Sequence, residues 1–115
     1  RHLSEAAIGE PQKLRELFVD PTQIDDWLER WRQRLESEGR APAETRAAMN
    51  LVNPLYVPRN HKVEAALQSA ETGEYLLLNE LLDVLKAPYE ERSGFESYAL
   101  PAPEAFGPYQ TFCGT

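Results

Sequence analysis

Ile24, Trp27, Leu28, Trp31 and Leu35 recur at i, i+3, i+4, i+7 and i+11. Only an α-helix puts such a series on one face, so this stretch constrains the fold more than any other. Asp25, Asp26, Glu29, Arg30, Arg32, Gln33 and Arg34 fill the opposite face. The acids come early and the bases late, as the helix dipole favours. Asp20-Pro21 supplies a cap and a first-turn proline, and Gly39 suits the residue just past the end. The pattern predicts a helix from Pro21 to about Ser37, with Trp27 and Trp31 as core anchors.

Proline and glycine punctuate the rest of the chain into further helical segments. Leu3 to Ile8 is a short apolar lead-in, and Leu14, Leu17 and Phe18 predict a helical face over Gln12 to Phe18. A helix begins at Pro42 and ends before Asn53-Pro54, because the residue before proline is pushed out of the α region. Leu55-Tyr56-Val57 is expected to run extended to Pro58, with Tyr56 and Val57 plugging into the core. Asn60 is expected to cap a helix carrying Val63, Ala66, Leu67 and Ala70. Thr72-Gly73-Glu74 then makes a tight connection to a helix over Tyr75 to Leu85, which favours an antiparallel pair. From Pro88 onward the chain holds four of its nine prolines and three of its six glycines, together with Tyr89, Phe95, Tyr98, Phe106, Tyr109 and Phe112. The expected architecture is all-α: a small bundle of about five helices over residues 1–98, and an extended, Pro- and aromatic-rich tail over 99–115 carrying Cys113.

The net charge is −7, from 12 Lys and Arg against 19 Asp and Glu. That surface repels phosphate backbones, so nucleic acid is not an expected partner. Seven arginines fall in the first half, at positions 1, 15, 30, 32, 34, 40 and 46, but acids alternate with them. No apolar run approaches the ~20 residues of a membrane span, and no membrane partner is expected. The chain opens at Arg1 without an initiator Met, so it reads as a piece of a longer protein.

Cys113 is the only cysteine, which excludes an internal disulfide and a cysteine-based zinc cage. It is either a redox-active thiol that pairs outside this chain or an unreactive tail residue. His2 and His61 lack a second ligand at helical spacing, so no metal site is expected. Asp25-Asp26-Glu29 and Glu90-Glu91 read as solvated helix or loop faces rather than paired catalytic carboxylates. The six glycines are isolated, and neither a phosphate loop nor a Ser-His-Asp arrangement is present. No catalytic, cofactor-binding or metal-ligating residue is therefore expected here.

One stretch is more specific than helix chemistry requires. Asn53-Pro54-Leu55-Tyr56-Val57-Pro58-Arg59-Asn60 is followed by Ala65-Ala66, by Ala87-Pro88-Tyr89-Glu90-Glu91, and by a lone cysteine near the end. This order resembles the C-terminal region of the selenoprotein O family and its bacterial relatives, from about Phe18 onward. The resemblance implies a parent protein with a kinase-like fold that transfers AMP from ATP to Ser, Thr or Tyr hydroxyls of protein substrates. It places the ATP and Mg²⁺ sites in an upstream kinase-like portion, against which this chain would dock. It also implies that Cys113 occupies the position of a redox element pairing with a cysteine of that portion. Arg59 and Tyr56 are the candidate docking residues, with Arg59 open to an ion pair across the lobes or to plain solvation. A bacterial-type cytoplasmic location follows from the same resemblance. The competing expectation, from a different class, is a stand-alone helical module that binds another protein through its aromatic tail or an exposed helix face.

Overall fold

Asp20 starts the longest helix in the way its sequence predicts. Its carboxylate accepts the Thr22 backbone N–H at 3.0 Å and the Thr22 hydroxyl at 2.7 Å, and Pro21 takes the first helical position. The Thr22 hydroxyl, then its backbone N–H, holds the Asp20 carboxyl below its ordinary range. The helix ends at Ser37, and Gly39 follows with φ +68°, a left-handed conformation that side chains with a Cβ resist.

The computed structural model describes residues 1–109. Among them the regular structure is entirely helical: α1 (His2–Ala6), α2 (Gln12–Arg15), α3 (Pro21–Ser37), α4 (Pro42–Val52), α5 (Asn60–Glu71), α6 (Leu76–Lys86), α7 (Glu96–Ala99) and a 3₁₀ turn at Glu104–Phe106. The all-α expectation is borne out. No helix among the described residues is long and apolar enough to cross a membrane. The chain divides into two units, Arg1–Asn53 and Pro54–Thr115.

In the first unit α1 packs on α4 and on α2, and α2 meets α3. The buried Ser4 hydroxyl lies 2.7 Å from the Asn50 amide oxygen and 2.8 Å from the Arg1 carbonyl. Arg15 grips both oxygens of Asp25 at 2.7 and 2.9 Å, which orients α2 on α3. Leu28 is the buried apolar side chain of α3. Two sequence expectations change here. Trp27 is 39% exposed and stacks on Trp31 at 5.5 Å, so it flanks the core rather than anchoring it. The second helix stops at Arg15, leaving Leu17, Phe18 and Val19 exposed. Three periodic residues are too short a run to carry a helix without a partner for the stripe.

The second unit has a continuous core of Tyr56, Ala66, Leu81, Val84 and Tyr98, flanked by Leu55, Val63, Leu78, Leu85, Phe95 and Ala99. The pairing of α5 with α6 supplies most of it. Their connection is tied by Ser69, whose hydroxyl donates to the Glu74 carbonyl at 2.9 Å, and by Gly73 at φ +88°. Val57 is 40% exposed, against the expectation that it fills the core with Tyr56.

Candidate functional site

The residues between Pro54 and Pro58 lie outside any helix, so their backbone N–H groups need partners outside the segment. The Pro88 carbonyl accepts two of them, from Leu55 at 2.7 Å and Tyr56 at 3.1 Å. The two motif halves, Asn-Pro to Arg-Asn and Pro-Tyr-Glu-Glu, thus meet through one oxygen. The Tyr56 hydroxyl, at the far end of a side chain only 2% exposed, accepts the Arg92 backbone N–H at 3.1 Å. Arg92 donates to the Asp83 carboxylate at 3.0 Å and the Asp83 carbonyl at 2.9 Å, and its guanidinium lies 4.7 Å from the Phe95 ring centroid. Tyr56 therefore faces inward and fixes the backbone on either side of it.

Arg59 is half-buried and donates from Nη2 to the Ala99 carbonyl at 2.9 Å, joining the start of α5 to the end of α7. Its Nε is buried with no hydrogen-bond partner among the described residues. Arg59, not Asn60, occupies the cap position of α5, and no side chain caps that helix. Asn60 is the first helical residue and is exposed. The helix therefore begins one residue earlier than an Asn60 cap would place it.

Beside Arg59 lies an open recess of about 500 Å³, walled by Val57, His61, Ala102, Phe106 and Tyr109. Phe106 meets His61 edge-on at 5.8 Å and stacks on Tyr109 at 5.4 Å. The Tyr109 hydroxyl donates to Glu64 at 2.9 Å, and that contact raises the phenol pKa. Burial, then Lys62, then Arg59, holds the His61 imidazole below its ordinary 6.5. The sign of the pH effect follows. The folded state binds the His61 proton less readily than the unfolded chain, so this contribution is complete above about 6.5 and is lost as pH falls through the lower, folded value. Denaturation between pH 7 and 5 is expected to show stability declining on acidification, with a shallower slope in His61→Asn; an unchanged slope would remove His61 as the cause.

Tyr56 and Arg59 thus come together in one segment, whereas Cys113 lies outside the described residues. Arg92 and the aromatic recess escaped the sequence analysis. Arg92 had a local signal, as the first base after Glu90-Glu91, but its partner Asp83 sits in a different segment. Among the described residues no three His, Cys, Asp or Glu side chains gather to hold a metal ion.

These features define a helical protein segment organised around a clamped inter-helix crossing. No family model matches the chain. It is 49% identical over all 115 residues to the protein nucleotidyltransferase YdiU of Mycobacterium sp. (strain KMS), of which it covers 22%. It is 47% identical over 117 aligned residues to that of Bradyrhizobium sp. (strain BTAi1), covering 24% of it. A further relative, from Sphingopyxis alaskensis, is 45% identical over 107 residues. The chain matches the C-terminal fragment of the YdiU protein nucleotidyltransferase family, in agreement with the resemblance to selenoprotein O. It spans less than a quarter of the length of these relatives, 22% and 24% of the first two.

Proposed function

We propose that this chain is the non-catalytic C-terminal region of a protein adenylyltransferase. In the parent protein a substrate Ser, Thr or Tyr oxygen attacks the α-phosphorus of ATP, forming the protein–AMP ester and releasing pyrophosphate. ATP and Mg²⁺ belong to the kinase-like portion outside this chain. The observation that carries the proposal is the match at 45–49% identity to relatives named protein nucleotidyltransferases. The role of this region is to dock on that portion in the cytoplasm, presenting the segment that Tyr56 holds and Arg59 ends.

Cys113 adds a redox contact, a disulfide with a cysteine of the kinase-like portion. Two thiols lose two protons and two electrons in forming it, delivered to an oxidant such as glutathione disulfide. The test is AMP incorporation into a protein substrate, followed by mass spectrometry. The parent protein is expected to add AMP, and this chain alone is not. Oxidised glutathione is expected to change the parent's rate, and Cys113→Ser to abolish that response. AMP transfer by this chain alone contradicts the non-catalytic assignment. A parent that responds equally with Ser at 113 contradicts the redox role.

A further inference from the structure

Ile8 lies between two recesses of the first unit. One, of about 280 Å³, is lined by the apolar Ala7, Ile8, Leu35 and Pro42 together with Arg32, Glu36 and Arg40. The other, of about 320 Å³, runs from Ile8 along α4 past Ala43 and Ala47, with Arg46 on its wall. Together they make an apolar trough bordered by three arginines and one glutamate. Arg15 and Arg34 form ion pairs within this unit, with Asp25 and Glu38. Arg32, Arg40 and Arg46 form none among the described residues, although Glu36 stands four residues from both Arg32 and Arg40 on the sequence. Arg32 and Glu36 share α3 at a spacing that pairs readily, and Arg40 lies past the end of that helix, so cations left open beside these apolar side chains are placed for an anion that the chain does not supply there.

The geometry points to this trough as the receptor for an acidic amphipathic segment, in which Asp or Glu side chains bracket one or two large apolar ones. The apolar side chains fill the recesses at Ile8, and the carboxylates pair with Arg32, Arg40 and Arg46. The occupant is a segment of the parent protein outside this chain. More than three-quarters of the length of the relatives lies beyond the part matched here. Tethering in one polypeptide raises the effective concentration of such a segment, so a modest trough suffices to hold it. The inference rests on the docking role proposed above and names the surface and the chemistry of what it grips.

The experiment places a benzophenone-bearing amino acid at Ala47 of the full parent protein, and the same residue at Asn60 in a second variant. Both positions are exposed, so folding is preserved and is checked by a circular dichroism melt. Irradiation is expected to join position 47 to an Asp/Glu-rich, apolar-bearing peptide from outside the 115 residues, within one molecule. Arg40→Glu with Arg46→Glu, both exposed cations without ion partners, is expected to cut that product about fivefold or more, and raised salt to weaken it likewise. A product joining position 47 to Pro54–Thr115 or to a second molecule overturns the inference, as does a yield indifferent to charge reversal. Cross-linking upstream from position 60 with none from 47 overturns it while leaving the docking role standing. No upstream product from either position overturns both.

Discussion

Tyr56→Ala is expected to destabilise the second unit by about 3–5 kcal/mol, the usual scale for emptying a buried aromatic site. Tyr56 is among the largest fully buried side chains, and it does two separable things. Its ring fills the core beside Ala66, Leu81, Val84 and Tyr98, and its hydroxyl accepts the Arg92 backbone N–H. Tyr56→Phe keeps the ring and leaves that N–H without its acceptor, for an expected cost of about 1–2 kcal/mol. Small domains hold roughly 0.05–0.15 kcal/mol per residue, so the alanine variant is expected to remove most of this unit's stability and the phenylalanine variant only part. Urea denaturation read by circular dichroism checks the pair. Equal losses for Ala and Phe would mean that the core does not close on the ring.

Leu28→Ala carries the second large effect, an expected loss of about 2–4 kcal/mol from the first unit. The site is thinly walled: Ala6 is the other apolar residue buried in that unit, and the neighbouring Trp27 is partly exposed. Thin walls relax into a cavity more easily, which sets the expectation below the top of the usual range. Trp27→Ala removes far more atoms, yet its expected cost is only about 1–1.5 kcal/mol, mainly the stack on Trp31. The order of the two effects is the informative part. A thermal melt in which Trp27→Ala is the more damaging would restore Trp27 to the core and contradict the packing described here.

Helix starts and stops were legible wherever one residue dictated them. Asp20-Pro21 opens α3, Gly39 follows it in a left-handed conformation, and Asn53-Pro54 closes α4, each for a local reason. Burial was less legible, because periodicity identifies a face without saying how much of it a neighbour covers. Trp27 and Leu28 belong to the same stripe, and only the second is buried. The Asn60 cap failed because Arg59 holds the extended backbone of the cap position and Asn60 is already helical, with no side chain capping the helix. The Pro88 carbonyl that receives Leu55 and Tyr56 lies more than thirty residues away in sequence. No spacing rule reaches that far. The motif halves were visible as words, but their junction was visible only in three dimensions.

The role proposed above is that this region serves the parent protein's catalysis without performing it. Calorimetric titration of ATP with Mg²⁺ into the 115-residue chain tests that most directly. The account predicts no heat of binding up to millimolar nucleotide, while the parent protein under the same conditions gives a saturable signal. Micromolar binding by the chain alone would contradict it.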